Sequence, residues 1–203
     1  MNYKNVLAIS PHADDVELGC GATLTRLLQQ GAKITSLVFS YPPKVELAII
    51  KEEHNQAMHM LGIKDVIVIN GDPQRLQPEF VRNAMYQLNK QSDFDLVLIP
   101  NSKDTHQSHE VVHREAKRVF KHTTLLGYEL PWNSFGFDND CYFEVDEDNL
   151  FYKLAAIKCY QSQMARPFFG SPVASELARL RGSQINKPLA ECFEVIRIVN
   201  TLR

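Results

Sequence analysis

The sequence predicts an α/β protein of the three-layer α/β/α kind, with a mostly parallel sheet and a smaller C-terminal lobe or cap. Three observations carry that expectation. Short β-rich apolar runs alternate with longer segments at helical spacing as far as residue 122. The strand-like runs are apolar at successive positions rather than at every second one, which marks strands buried on both faces of a parallel sheet. A chain of 203 residues, 44% of them hydrophobic, suffices for one well-buried core and falls short of two.

Taken in order, NVLAIS (5–10) reads as the first strand, and ELGCGATLTRLLQQ (17–30) as a helix closed by Gly31. KITSLVFS (33–40) is the second strand, and KVELAIIKEEHNQAMHMLG (44–62) a helix ending in glycine. DVIVIN (65–70) follows as a strand stopped by the turn-forming GDP, then PEFVRNAMYQLNKQ (78–91) as a helix with proline at its start. DLVLIP (95–100) is the fourth strand and SHEVVHREAKRVFKH (108–122) the next helix. Beyond residue 123 the pattern loosens. TLLGYEL and CYFEV suggest strands, DEDNLFYKLAAIKCYQSQ a helix with an acidic start, SELARLRG a short helix and ECFEVIRIV a closing strand. No linker, repeat or low-complexity segment interrupts the chain. Residues 1–203 therefore read as one domain, with a core over about 1–130 and a C-terminal lobe over about 131–203.

Composition excludes several function classes. A formal charge of -2 gives no electrostatic footprint for nucleic acid or an anionic membrane surface. Four cysteines, Cys20, Cys141, Cys159 and Cys192, lie far apart without a CxxC pair, as expected in a reducing cytoplasm. MNYKNVLAIS lacks the apolar core and cleavage site of a signal peptide, and no apolar run approaches the ~20 residues of a membrane span.

The chemistry concentrates in two clusters. The first strand ends in ISPHADDVELGCG, which sets His12, Asp14 and Asp15 beside two glycines. The fourth ends near DTHQSHEVVH, with Asp104, His106, His109 and His113. In a doubly wound, Rossmann-like sheet of order 3-2-1-4-5, strands one and four are neighbours at the switch point, and ligands bind outside their carboxyl ends. The two clusters then face one another across a single crevice. Two imidazoles and one carboxylate around an open position suit catalytic zinc, and a further carboxylate can take a proton from water. The three-residue spacing of His12 and Asp15 aims both at one ion and leaves Asp14 to one side; His106 and His109 share that spacing.

Each piece alone has a plainer explanation. PHADD by itself is a turn with helix-capping aspartates. His113, mid-helix, is a surface or supporting residue, while His54, His59 and His122 read as solvated or facing a helix dipole. The cysteines read as small buried residues. GCGATL contains part of a dinucleotide fingerprint, but the third glycine is missing and Asp14, Asp15 and Glu17 repel a pyrophosphate. The glycines are expected instead where the first helix packs closely on the sheet. Two clusters at matching strand ends exceed what capping explains.

SPHADDVELGCGATL resembles the His-x-Asp-Asp signature of the PIG-L/LmbE-like zinc deacetylases, and THQSH their His-x-Asp-His motif. LGYELPWN, YQSQ and LARLRGSQINKPLAECFEV are similar to stretches of bacterial members, so the likeness spans almost the whole chain. The resemblance implies a zinc-dependent hydrolase that removes the acetyl group from an N-acetylglucosamine-type sugar or conjugate, in surface-glycan or sugar-conjugate biosynthesis. It implies one Zn2+ per chain, with Fe2+ or another divalent ion as substitutes, held by His12, Asp15 and His109. Asp14 becomes the general base, and His106 the group that stabilises the oxyanion or protonates the leaving amine. The expected partner is a small N-acetylated amino sugar, with the homo-oligomeric state left open. One departure is Ser108, where the family usually has aspartate between the two histidines. Such an aspartate orients the first histidine and favours its charge. Serine offers a hydrogen bond but no charge, so the expectation is either a His106 less competent as an acid at neutral pH or substitution by another carboxylate, Asp104 or Glu129. Trp132, with Tyr41, Phe135 and Phe137, is a candidate for stacking on a sugar ring. Two rivals are a metal-dependent phosphoesterase and a catalytically weak sugar- or nucleotide-binding relative. Activity on an aryl phosphate would single out the first, and binding without turnover the second.

Overall fold

The computed structural model describes residues 3–200. Its centre is a seven-stranded sheet built from β1 (Asn5–His12), β2 (Lys33–Ser40), β3 (Asp65–Val68), β4 (Leu96–Pro100), β5 (Thr124–Tyr128), β6 (Cys141–Glu144) and β7 (Ala190–Arg197). The order is β3-β2-β1-β4-β5-β7-β6, parallel from β3 to β5, with β7 antiparallel to both its neighbours. The helices are α1 (Asp15–Gln29), α2 (Leu47–Leu61), α3 (Pro78–Gln91), α4 (Gln107–Val119), α5 (Glu147–Cys159), the single turn α6 (Pro167–Gly170) and α7 (Val173–Gln184).

Strand side chains alternate between two cores. Val6 and Ala8 of β1 join Val38, Leu96 and Leu98 on the face that packs against α1, α2 and α5. Leu7 and Ile9 join Leu37, Phe39, Val97 and Ile99 on the face covered by α3 and α4. Burial on both faces is why these strands read as continuous apolar runs. The C-terminal segment is woven into the same sheet through β7, which lies between β5 and β6, while α5 fills the layer beside α1 and α2.

One local feature departs from the sequence reading. A single helix is expected over 17–30; α1 begins at Asp15 and kinks at Cys20 (φ -146, ψ 16). The kink frees the N–H groups of Ala22 and Thr23, and both donate to the Glu191 carboxylate, at 3.3 and 2.6 Å. The buried Lys153 ammonium pairs with the same carboxylate. The glycines beside the kink let the helix approach: a Cβ on Gly19 would lie 2.4 Å from Cδ2 of the fully buried Tyr128, whereas one on Gly21 would meet the flexible Lys153 stem at 3.2 Å. Gly19→Ala is therefore expected to destabilise the fold by about 1–3 kcal/mol through overpacking, with a smaller loss for Gly21→Ala. Thermal unfolding of the two variants tests this order.

His54 also differs from expectation. It is fully buried, neither ring nitrogen has a hydrogen-bond partner, and Tyr41 meets it edge-on with centroids 5.8 Å apart. Its place was readable as a stripe: Ile50, His54, Ala57, Met58 and Leu61 form the inward face of α2. Burial pulls its pKa from 6.5 down to about 4. The unfolded chain therefore binds a proton that the native state refuses, and stability falls as pH drops from 6.5 towards 4, by at most about 3 kcal/mol. Glu17, which burial raises to about 7, acts oppositely, losing stability as pH rises through that value. His54→Leu should raise the unfolding midpoint, and its advantage over wild type should widen between pH 7 and pH 5.

Candidate active site

The carboxyl ends of β1 and β4 open onto a cavity of about 500 Å3 whose wall includes His12, Asp14, Asp15, His106, His109 and Trp132. A larger cavity, about 650 Å3, lies at the opposite end of the strands among Asn5, Lys33, Lys64 and Asp65. It brings together no set of metal-type donors, so chemistry rather than size selects the first.

The first cluster is shaped by backbone ties. Ala13 N–H donates to Ser40 O at 2.9 Å and Ser40 Oγ donates to Pro11 O at 2.8 Å, fixing the end of β1 against β2. Ser10 Oγ accepts from Val16 N–H at 3.3 Å, and Asp15 Oδ2 accepts from His12 N–H at 2.7 Å. Asp14 stands at the N-cap position of α1 without making a capping bond. Its backbone is left-handed (φ 109, ψ -26), its side chain is buried, and Oδ2 has no hydrogen bond. The helix-cap explanation thus fails for Asp14. A non-glycine residue in this region costs on the order of 1–3 kcal/mol and persists only where surrounding structure enforces it.

In the second cluster, His106 caps α4 with its ring: Nδ1 accepts from Ser108 N–H at 3.3 Å. Asp104 spans the turn, with Oδ1 accepting from His106 N–H at 2.9 Å and Oδ2 bonded to His109 Nδ1 at 2.7 Å. The loop is tied to the one after β5 by Thr105 N–H and Oγ1, which both donate to Asn133 O at 3.0 Å.

The two clusters meet. His12 Nδ1, Asp15 Oδ2 and His109 Nε2 form a triangle with edges of 3.2, 3.3 and 3.4 Å. A tetrahedral ion with bonds of about 2.0–2.1 Å separates its ligand atoms by about 3.3–3.4 Å, so the triangle matches one face of such an ion. Ring nitrogens of His12, His106 and His109 also lie within 4.8 Å of one another, but Nδ1 of His106 is engaged by Ser108, leaving Nε2 to face the cavity. Electrostatics favour a cation here. Burial opposes a charge on His109, yet Asp15 and Asp104 outweigh it and raise its pKa to about 10. Burial likewise works against an ionised Asp15, but His109 and His12 hold its carboxyl well below the usual range. Asp14 is moved the other way, upwards, by burial and then by Asp15 and Glu17. For His106, burial and the neighbouring His109 and His12 lower the pKa to about 4. The bond from Ser108 N–H agrees, because it requires an unprotonated Nδ1 and so places the neutral ring's proton on Nε2.

Three supporting residues sit elsewhere than the sequence suggests. Ser108 touches His106 through its backbone, while its Oγ donates to Pro73 O at 3.4 Å. Asp104 orients the ring of His109 rather than that of His106. Glu129 is held in a buried ion pair with Arg181, outside the cavity wall. Of the four aromatics, Trp132 alone lines the cavity, stacked on Phe168 with centroids 4.1 Å apart. Tyr41 belongs to the core, Phe135 is exposed, and Phe137 lies under Arg181. His113 is buried, its Nδ1 bonded to Pro100 O at 2.9 Å; His59 and His122 are exposed as expected. Arg166 and Phe168, both on the cavity wall, escaped the sequence reading, since nothing in MARPFFG ties it to a motif 150 residues away.

Comparison with known proteins places the chain among relatives. The profile of the family described as GlcNAc-PI de-N-acetylase (PIG-L) matches residues 7–120. An Escherichia coli protein described as uncharacterized deacetylase YaiS is 34% identical over 170 residues, 78% of this chain and 91% of that one. Among solved structures, the N,N'-diacetylchitobiose deacetylase of Pyrococcus horikoshii aligns with a TM-score of 0.79 at 19% identity, over 96% of this chain and 84% of the other. The 4-carboxy-2-hydroxymuconate hydratase GalB of Pseudomonas putida aligns with a TM-score of 0.80 at 18% identity, over 98% and 100%. At these identities the structures share a fold, and that fold serves more than one reaction.

Proposed function

The chain belongs to the GlcNAc-PI de-N-acetylase (PIG-L) family, and from that premise we propose that it is a divalent-metal-dependent N-deacetylase of an N-acetylated amino sugar. The observation that carries the proposal is Asp14: a buried carboxylate oxygen without a hydrogen bond, on a left-handed backbone, beside a triangle of donors at metal-ligand spacing. A structural aspartate has no reason to accept that arrangement; a base waiting for a proton does.

His12 Nδ1, Asp15 Oδ2 and His109 Nε2 would hold the ion, with zinc the best match to two nitrogens and one oxygen. Bound there, it would supply Lewis acidity and lower the pKa of water. Asp104, fixed on Nδ1 of His109, keeps the Nε2 lone pair aimed into the triangle. Asp14 Oδ2 takes a proton from the water that attacks the acetamide carbonyl carbon. Nε2–H of His106 donates to the oxygen on which negative charge develops; here the ring acts as a neutral hydrogen-bond donor, which removes the need for a charged His106. The proton on Asp14 then passes to the departing nitrogen as the C–N bond breaks, giving acetate and the free amine. All four cysteines are free thiols, in keeping with a reducing cytoplasm, and no helix among the described residues is long and apolar enough to cross a membrane.

A two-metal phosphoesterase finds less support, because the described residues contain one group of metal-type donors. Screening N-acetylated sugars for acetate release with metal-reconstituted protein tests the proposal. Release of acetate in step with free amine is expected; turnover of an aryl phosphate without acetate release would overturn it.

A further inference from the structure

Arg166 is the cation of the cavity wall, the histidines aside, among the described residues. Its guanidinium makes no hydrogen bond to protein; the nearest carboxylate oxygen, Asp14 Oδ2, is 3.8 Å away. The side chain is nevertheless held in place. Ser162, in the 3-10 turn Gln161–Gln163, is pinned to Glu53 of α2 through its N–H at 2.7 Å and its hydroxyl. Arg166 N–H donates to Gln163 O at 2.9 Å, and Pro167 fixes the next residue. The guanidinium lies 5.9 Å from the Phe168 ring centre, and Phe168 is stacked on Trp132. An arginine backed by two aromatic rings, with its planar fork of donors unspent and facing a cavity, is arranged to receive a ligand group.

Charge decides which group. Asp14 and Asp15 on the wall, with Asp104 behind His109, surround the ion position. Arg166 approaches just one of them, Asp14, at 3.8 Å and without a hydrogen bond, so its donors stay available to an anion. Neutral hydroxyls have other polar groups to meet on the same wall, the side-chain amides of Gln74 and Asn133. Position decides where on the substrate the group sits. Arg166 is beside Asp14, and Asp14 is beside the reacting amide, so an anion that meets Arg166 lies within a few bonds of the acetamido carbon. On a 2-acetamido sugar that means a substituent of C1 or C3, not of C6.

We propose that Arg166 is a specificity-determining residue that binds an anionic group, phosphate or carboxylate, carried by a carbon adjacent to the acetamido-bearing one. The proposal rests on the deacetylase reading above. The test uses full-length metal-reconstituted protein and four probes: N-acetylglucosamine 1-phosphate, N-acetylmuramic acid, N-acetylglucosamine 6-phosphate and N-acetylglucosamine. Acetate release is measured for each, and equilibrium binding is followed by calorimetry. One of the first two probes should exceed the neutral sugar in kcat/KM and in affinity by about tenfold or more, the size of a charge-assisted hydrogen bond. Which of the two is preferred tells phosphate from carboxylate. Arg166→Gln should shrink that preference to within about twofold, chiefly through KM, and Arg166→Lys should keep part of it. Three results would overturn the proposal: equal handling of anionic and neutral sugars by wild type, preference for the 6-phosphate, or an Arg166→Gln loss equal for all probes. Anion binding that depends on Arg166 without any acetate release would uphold the recognition role and sink the deacetylase reading instead.

Discussion

Asp14→Asn is expected to lower the rate of acetate release about 10²–10⁴-fold, because an amide cannot accept the proton that a general base removes. The same change should leave metal content intact, since Asp14 lies outside the donor triangle. It should also stabilise the protein. Asparagine tolerates the left-handed backbone better than most residues, and the variant no longer buries a carboxylate oxygen that has no hydrogen bond and whose nearest cation, Arg166, is 3.8 Å away. The pH dependence has a definite sign. In the metal-free native state the Asp14 carboxyl titrates above its ordinary value, so wild type loses stability as pH rises from the unfolded carboxyl's range through that raised value. The advantage of Asp14→Asn in unfolding midpoint should therefore be larger at pH 7 than at pH 4. Kinetics and elemental analysis on metal-loaded protein, and thermal unfolding on the chelated protein, check all three parts. Near-wild-type turnover would make Asp14 a structural residue.

His12→Ala is expected to remove both metal and turnover. His12 supplies one corner of the triangle, and its loss leaves Asp15 and His109 with two ligands where three are needed. Affinity should fall by more than the ~10–100-fold typical of losing a supporting residue behind a ligand. Because a bound ion stabilises the native state alone, by ~2.7 kcal/mol at a hundredfold excess over Kd, wild type should melt lower after chelation. The variant should melt at one temperature with or without chelator. Stoichiometric metal in His12→Ala would contradict the ligand set.

Much of this was legible in the sequence because parallel strands buried on both faces cannot hide their composition. KITSLVFS and PEFVRNAMYQLNKQ coincide with β2 and α3, and the order 3-2-1-4-5 that joins His12 to His109 follows from the doubly wound rule. What escaped depends on contacts far apart in the chain. The kink at Cys20 is set by Glu191, 171 positions away, and the sequence shows only the flanking glycines. His54 looked solvated because its neighbours are charged, although its spacing from Ile50 and Ala57 placed it inward. Ser108 meets His106 through its backbone N–H, a contact that the residue's identity in the motif does not reveal. Glu129, near the motif in sequence, is drawn away by Arg181. Arg166 reaches the site only because α5 and the turn after it pack against α2, which no local pattern reveals.

The most direct test is a crystal structure of the metal-reconstituted protein with anomalous scattering recorded at the zinc edge. One peak per chain is expected, about 2.0–2.2 Å from His12 Nδ1, Asp15 Oδ2 and His109 Nε2, with a solvent or substrate oxygen in the fourth position and Asp14 outside bonding distance. A peak ligated by His106 Nε2 in place of Asp15, or by Asp14 itself, or no ordered ion in the triangle, would contradict the account.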